Sequence, residues 1–179
     1  RSLLREVLTL PFLSSQDDPE AICFSLQVGD WRLIGLDTQV PGAVHGTLSE
    51  RQRKWLQGEL EQHTQQPTIL FTHHPPFSVA SSWADGIGLT NGEPFWQSIS
   101  AHPQVRAVVS GHVHQDFSAT NNGVLCLTTP ATSFQFTPGS STAQFDLVSP
   151  GFRRLQLEDG RIDTEVMRLS ELTFPPRML

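Results

Sequence analysis

Two apolar runs stand out in the pattern of hydrophobic and polar positions along this chain. Thr68–Thr72 and Val105–Ser110 are short, nearly continuous hydrophobic segments rich in branched residues, which is typical of strands buried on both faces. Before them, segments 22–28 and 31–37 flank a glycine-aspartate turn and predict a β-hairpin. We therefore expect a sheet that begins with an antiparallel pair and continues with two buried strands.

Helical signals occupy the intervals between these strands. Ser49 followed by Gln52 is a capping-box signature, and the apolar residues of the next segment recur on one helical face. Residues 75–90 read as a long loop. Asn91 is predicted to cap a short helix that ends before the second buried strand. Strands alternating with helices, after an opening hairpin, predict an α/β fold with a mixed sheet.

The last third of the chain has a different, strand-rich pattern. Segment 124–129 reads as a strand, and segments 152–158 and 161–168 flank an Asp-Gly turn. We expect these two terminal strands either to extend the sheet or to pair across a dimer. Segment 130–141, rich in Thr, Ser, Pro and Gly, is predicted to be an ordered loop near the functional site, and residues 172–179 are predicted to be a tail.

Composition restricts the possible functions. A chain of 179 residues fits one domain, and its formal charge of −6 offers no basic surface for a nucleic-acid backbone. The sequence contains no apolar run long enough to cross a membrane. Cys23 and Cys126 stand alone among strand-like residues, so we expect reduced core cysteines and a cytoplasmic location. The opening residues resemble the end of a helix cut from its context.

The candidate chemistry lies where the two buried strands end. His73 and His74 follow the first strand, and Gly111, His112, Val113 and His114 follow the second. Ligands in open α/β sheets gather at the carboxyl ends of strands, and neutral imidazole is the commonest metal ligand in proteins. In an extended loop His112 and His114 would face the same side and flank two metal ions, which lie about 3.5–4 Å apart in dinuclear hydrolases.

Several histidines also have a simpler interpretation. For His74 we consider two roles equally: a structural role that supports its neighbours, and direct contact with substrate. His63 and His102 are expected at the solvated surface, and His45 is more readily a surface residue than the rim of a pocket. Three imidazoles alone would also suit a mononuclear zinc hydrolase, which uses three protein ligands and a water.

At these histidines the sequence resembles the calcineurin-like metallophosphoesterases, most closely the bacterial class III cyclic-AMP phosphodiesterases. The two histidine motifs are specific to the superfamily, and looser similarities between them indicate the cyclic-nucleotide branch. The segments that carry the resemblance are 36–38, 45–56, 72–76, 82–91, 110–114, 129–130, 135–136 and 150–153.

The resemblance implies a set of metal ligands. It makes His73 and His112 ligands of one ion and His114 a ligand of a second, with His74 and Asn91 as candidates for contacting substrate or supporting the ligands. The family's other ligands lie in D-x-H, G-D-x-x-D and G-N-H-D motifs, and none occurs in this sequence. We therefore expect residues 1–179 to be the C-terminal portion of one phosphoesterase domain, with its catalytic groups upstream of Arg1.

The same resemblance implies fold, activity and partners. The fold would be a four-layer α/β/β/α sandwich, here without its N-terminal strands. The activity would be hydrolysis of 3′,5′-cyclic AMP to 5′-AMP at a dinuclear centre of Mn, Fe or Zn, with a possible homodimer as the assembly. This chain alone is expected to bind metal weakly or partially and to be inactive. Alternatives are a phosphoesterase for another diester or nucleotide, and a non-catalytic regulatory or interaction domain.

Overall fold

A six-stranded mixed sheet organises the part of the chain that the computed structural model describes, residues 21–176. The strand order is β1-β2-β3-β4-β6-β5. The predicted helix tail at the start of the chain and the last three residues of the predicted tail lie outside the described residues. The strands are β1 (Phe24–Val28), β2 (Trp31–Leu36), β3 (Thr68–Thr72), β4 (Val105–Ser110), β5 (Phe117–Asn121) and β6 (Val124–Thr128).

Parallel pairing brings the ends of the two apolar strands level with each other. Strands β2, β3, β4 and β6 run parallel, whereas β1 and β5 pair antiparallel at the two edges. Thr72, the last residue of β3, pairs in register with Ser110, the last residue of β4. Their hydroxyl oxygens lie 2.8 Å apart. Directly after the two strands, the Gly111 amide donates to the His73 carbonyl at 3.1 Å.

In the described part of the chain, three helices cover one face of this sheet or its loops: α1 (Glu50–Gln62), α2 (Ser82–Asp85) and α3 (Gly92–Ile99). The predicted start of α1 is confirmed, since the Ser49 hydroxyl accepts a hydrogen bond from the Gln52 amide at 3.1 Å. Apolar side chains of α1 and α3 pack on the inner strands because they recur at helical spacing. The fully buried members of this core include Ile34, Leu56, Leu60, Leu70, Phe95 and Val108.

A separate hairpin covers the opposite face. Strands β9 (Gly151–Glu158) and β10 (Arg161–Arg168) pair antiparallel. Earlier in the chain, two shorter strands, β7 (Gln135–Phe136) and β8 (Phe145–Asp146), form a second antiparallel pair. Alternate hairpin residues pack against the sheet, as half-buried strands require. The members of this second core include Trp31, Ile69 and Leu127 from the sheet and Leu155, Leu157 and Ile162 from the hairpin.

The mixed α/β fold class is therefore confirmed, with corrections. Within residues 21–176 the hairpin β9–β10 neither extends the main sheet nor needs a second chain for its pairing, because its alternating apolar residues cover the sheet face. Strand β5 escaped prediction because its side chains are mostly exposed and carry no alternation. Helix α2 interrupts the segment predicted as the loop 75–90.

Two side chains expected to act at helix starts, those of Asn91 and Gln52, have other partners in the structure. The Asn91 side chain makes no cap hydrogen bond, because both its groups bind the backbone of Leu48, at 3.0 Å to the amide and 2.8 Å to the carbonyl. The Gln52 side chain bridges the backbone amide and carbonyl of Asp37. Long-range backbone partners thus take the place of the local ones that the sequence suggests.

The predictions for the isolated side chains are partly confirmed. Cys23 and Cys126 are both buried, and burial raises the pKa of Cys126 to about 11, as in an inert core position. His63 and His102 were expected in solvent, but both are half-buried, and His63 lies 3.1 Å from a guanidinium nitrogen of Arg32. Within the described ranges, no helix combines the length and apolarity that a membrane crossing requires.

Candidate metal centre

The histidines that end the two apolar strands converge. Nε2 of His73 and Nδ1 of His112 lie 3.2 Å apart, and their ring centroids are 5.0 Å apart. Two nitrogens bound to one zinc ion at about 2.0–2.1 Å each are separated by about 3 Å. The level ends of β3 and β4 thus place two ring nitrogens at the spacing that one shared metal ion requires.

The turn that carries the second pair of histidines is strained. His112 has φ 68° and His114 has φ 51°, in the left-handed region that residues with a side chain seldom adopt. The expected extended geometry of this loop is therefore wrong. Val113 between them is fully buried, and its amide donates to the Gly111 carbonyl at 2.8 Å, so packing and backbone contacts hold the strain at the candidate site.

His112 is held in its neutral form. Burial is the main cause that lowers its pKa to about 4, followed by repulsion from His74, His73 and His114, with the Ile87 carbonyl acting in the opposite direction. Its Nε2 is buried and meets no hydrogen-bond partner within residues 21–176. A buried ring that lacks a full set of partners, and that resists protonation, is suited to act as a metal ligand through the nitrogen facing His73.

The orientation of His114 is fixed by a backbone carbonyl. Its Nδ1 lies 3.0 Å from the Phe134 oxygen, and because a carbonyl only accepts, Nδ1 carries the proton and Nε2 keeps its lone pair. Ring nitrogens held this way are typical of metal-ligating histidines. Burial lowers the pKa of His114 against the effect of that carbonyl, and its charge in turn lowers the pKa of His73, second to burial.

His74 supports the cluster and has no free ring nitrogen. Its Nε2 lies 3.1 Å from the Val44 carbonyl and so donates, whereas its Nδ1 accepts from the Thr38 hydroxyl at 2.7 Å. Its ring centroid lies 4.4 Å from that of His112. A Cβ at Gly46 would overlap the His74 ring. Although ligand atoms of His73, His74 and His112 lie within 4.8 Å of one another, the geometry makes His74 a brace for the other two rings.

The remaining sequence candidates lie outside this cluster. Asn91 is engaged with the Leu48 backbone. His45 is exposed, although its charge contributes to lowering the pKa of His74 after burial and His73. Thr38 and the carbonyls of Val44 and Phe134 were not predicted, and only Thr38 belonged to a segment that the resemblance singled out. Their role depends on contacts across the fold.

An arginine of the hairpin fixes the residues that follow His114. The Arg153 side chain is 6% exposed and forms an ion pair with Asp116. Its Nε donates to the Thr128 carbonyl at 2.9 Å. The hydroxyl of Thr128 donates in turn to the Gln115 carbonyl at 2.6 Å. The loop behind His114 is therefore tied to β6 and to β9 at once, a support that no local sequence signal indicates.

Comparison with known proteins identifies the family of this chain. The family model for calcineurin-like phosphoesterases matches residues 12–116, which include all the histidines of the cluster. The chain belongs to the calcineurin-like phosphoesterase family. The resemblance stated from the sequence is thereby confirmed, and the match ends two residues beyond His114.

Curated relatives of this calcineurin-like phosphoesterase chain carry a more specific name. A 3′,5′-cyclic adenosine monophosphate phosphodiesterase of Vibrio vulnificus is 42% identical over 82% of this chain and 54% of its own length. The Escherichia coli K12 protein of that name is 38% identical over 82% of the chain and 54% of its own length. The Pseudomonas aeruginosa protein is 35% identical over 83% and 55%. The chain spans about half the length of these relatives.

Solved structures show the same fold at low sequence identity. A dimetal phosphatase from Danio rerio aligns with TM-score 0.57 and 18% identity over 85% of this chain and 62% of that structure. A purple acid phosphatase from yellow lupin aligns with TM-score 0.54 and 16% identity over 88% of this chain and 32% of that structure. The calcineurin-like phosphoesterase chain therefore shares their fold.

Proposed function

We propose that this chain is the histidine-bearing part of a metal-dependent phosphodiesterase that hydrolyses 3′,5′-cyclic AMP to 5′-AMP. One observation carries the proposal: His73 Nε2 and His112 Nδ1 converge at 3.2 Å in a chain 42% identical to a cyclic-AMP phosphodiesterase. The low pKa of His112, about 4, supports it because a protonated ring has no lone pair for a metal ion.

The proposed ligands divide between two ions. His73 and His112 would hold one ion, and Nε2 of His114 would bind the second. A divalent cation supplies charge neutralisation at phosphate oxygens and lowers the pKa of bound water from about 16 toward 7. Within residues 21–176 the group of potential ligands consists of histidines only, so the proposal requires carboxylate and asparagine ligands from residues outside that range.

The chain's own residues prepare the site before any substrate binds. Burial keeps the pKa of His73, His112 and His114 below the usual value, so all three rings present lone pairs near neutral pH. The Phe134 carbonyl fixes the tautomer of His114, and the Thr38 hydroxyl holds the His74 brace. Orientation of ligands in advance is what a hydrolase requires, because it leaves little reorganisation to the reaction.

The test uses the protein expressed from its complete reading frame, with metal content and cyclic-AMP hydrolysis as readouts. We expect about two ions per chain and release of 5′-AMP, and His73→Ala is expected to lose both an ion and the activity. His102→Ala is the matched control, because this half-buried histidine lies outside the cluster. Hydrolysis that survives removal of all metal would contradict the proposal.

The 179-residue chain gives a second, independent test. Without further ligands it is expected to retain well below one manganese ion per chain after washing, measured by elemental mass spectrometry, and to hydrolyse cyclic AMP slowly or not at all. Two tightly held ions would mean that other residues of this chain complete the site. The preference for cyclic AMP over other phosphodiesters, the homodimer and the cytoplasmic location stay predictions, and light scattering tests the second of them.

A further inference from the structure

The aromatic ring of Phe134 lies directly beside the candidate metal ligand His114. Their ring centroids are 4.9 Å apart, and the same residue's carbonyl holds His114 Nδ1. Phe136 and Phe145 back the ring at 5.3 and 5.0 Å in edge-on contacts. The side chain nevertheless remains 38% exposed. A supported aromatic surface therefore stands open next to the site, with no described residue covering it fully.

Phe134 also forms one wall of a cavity of about 400 Å³. This volume lies within the range of small-molecule sites, about 300–1,000 Å³. None of the described residues that line the cavity is charged, and their chemistry suits a ligand with an apolar face and hydrogen-bonding edges. The walls are Phe134, Pro150, Leu169 and Phe174, and hydroxyl groups come from residues that include Thr132 and Ser133.

We propose that this cavity binds the purine base of the substrate, with the Phe134 ring as its stacking surface, an inference that rests on the proposed phosphodiesterase function. A cyclic nucleotide whose phosphate sits at the histidines carries its base one sugar ring away. Phe134 is adjacent to His114, with ring centroids 4.9 Å apart, and it also lines the cavity. Bases stack on aromatic side chains and hydrogen-bond at their edges, which matches a neutral, aromatic and hydroxyl-lined cavity.

The experiment compares two substrates that differ only in the base. The protein from its complete reading frame is assayed with cyclic AMP and with ribose 3′,5′-cyclic phosphate. Stacking on one aromatic side chain corresponds to about 5- to 150-fold in affinity. We expect Phe134→Ala to raise KM for cyclic AMP within that range and to raise KM for the base-free substrate by a clearly smaller factor, because only cyclic AMP loses the stacking contact. The backbone carbonyl that holds His114 is retained in this variant.

Two further phenylalanines make the test specific. Phe174 forms another wall of the cavity and is 88% exposed, so Phe174→Ala removes little packing and is expected to raise KM for cyclic AMP in the same way. Phe152 lines an adjacent cavity of about 220 Å³ that includes neither Phe134 nor Phe174. Phe152→Ala is therefore the matched control with unchanged kinetics. A rise in KM confined to Phe152→Ala would overturn the proposal in favour of the adjacent cavity.

Adenosine binding provides a readout that needs no hydrolysis. Calorimetric titration of the metal-free protein with adenosine is expected to show binding that Phe134→Ala weakens and Phe134→Trp retains. Wild-type protein that hydrolyses neither substrate would overturn the proposed function, and the adenosine titration would still decide the base site. Equal kcat/KM for both substrates, together with adenosine binding unchanged in Phe134→Ala, would overturn the base site alone.

Discussion

The two sides of the histidine cluster are built in different ways. His73 and His112 follow parallel strands whose register is fixed by the main sheet and whose cores, such as Leu70 and Val108, are fully buried. His114 depends instead on a carbonyl of segment 130–141 and on the ion pair of Arg153 with Asp116 behind it. We call these the sheet side and the loop side of the cluster.

The two sides are therefore sensitive to different substitutions. On the sheet side a ladder of backbone hydrogen bonds sets the position of the ligands, so most single side-chain changes at a distance leave it intact. On the loop side the position of His114 depends instead on a few side-chain contacts from β9 and β6. We therefore expect distant substitutions to weaken binding of the ion proposed at His114 and to spare the ion proposed at His73 and His112.

The largest effect is expected from breaking the sheet side directly. His112→Ala removes a proposed ligand, and metal affinity should fall well beyond the roughly 10–100-fold typical of losing a partner of a ligand. Because Nε2 of His112 has no partner in the described part of the chain, the thermal midpoint of the metal-free protein should change little. Isothermal titration with Mn²⁺ and calorimetric unfolding measure the two quantities. An unchanged metal affinity would remove His112 from the ligand set.

The next effect concerns the loop side. Arg153→Ala deprives Asp116 and the Thr128 carbonyl of their partner, and a roughly 10–100-fold loss of affinity is expected for the ion at His114 only. Leaving the carbonyl of the buried Thr128 without this partner also costs about 1–3 kcal/mol of stability. In the protein from its complete reading frame, at a Mn²⁺ concentration just sufficient to fill both wild-type sites, the metal content should therefore fall from two ions per chain to one.

Arg154→Ala is the matched control for that prediction. Arg154 pairs with Glu165 on the outer face of the hairpin, where the two side chains are 58% and 52% exposed. Exposed pairs of this kind contribute about 0–1 kcal/mol, so neither stability nor metal content should change measurably. Equal effects of the two substitutions would mean that Arg153 acts on the hairpin as a whole and has no special connection to His114.

A smaller effect is expected from loosening the brace on the sheet side. Thr38→Ala removes the hydroxyl that donates to Nδ1 of the buried His74, at a cost of about 1–3 kcal/mol. Thr38→Ser keeps the hydroxyl and should retain most of the stability. Chemical unfolding in urea measures the difference between these variants. A stability equal to wild type in Thr38→Ala would show that the brace does not depend on this hydrogen bond.

The smallest expected difference between the sheet side and the loop side lies in the pH dependence of stability. The folded-state pKa of His112 is about 4, below the ordinary histidine value of 6.5, so the unfolded chain binds this proton more readily. The contribution of His112 to stability is complete above about pH 6.5 and is lost as the pH falls toward 4. Thermal unfolding of the metal-free protein from pH 7.5 to 4 should show this decline.

Substitutions on the two sides should change that decline unequally. His112→Gln is expected to flatten it more than His114→Gln, because burial and three neighbouring histidines act on His112, whereas the Phe134 carbonyl partly offsets the burial of His114. If His114→Gln flattened the decline in stability as much as His112→Gln or more, the sheet side would not be the more strongly desolvated one.

The sequence predicted those parts of the molecule whose signals are local. Strands β3 and β4 match the predicted bounds because continuous apolar runs mark doubly buried strands. The Ser49 cap is equally local. His73, His112 and His114 were singled out because each follows a buried strand, and their role as metal ligands stays a prediction. Strand β5 was missed because an exposed edge strand lacks hydrophobic alternation.

The supports of the site could not be predicted because they act across the fold. Thr38 and His74 are 36 positions apart, and Arg153 reaches Asp116 over 37 positions. Asn91 looked like a helix cap, yet it binds Leu48, 43 positions away. Such pairings depend on how the layers stack, and neither residue type nor spacing encodes that in a single sequence.

The hairpin arginine also sets an order of events during synthesis. Arg153 follows His114 by 39 residues, and a ribosome adds roughly 5–20 residues per second. The sheet side can take shape while this stretch is still being translated, whereas the His114 loop lacks its anchor for about 2–8 seconds at those rates. A nascent chain therefore offers its two proposed metal-binding halves at different times, and the half nearest the C-terminus matures last.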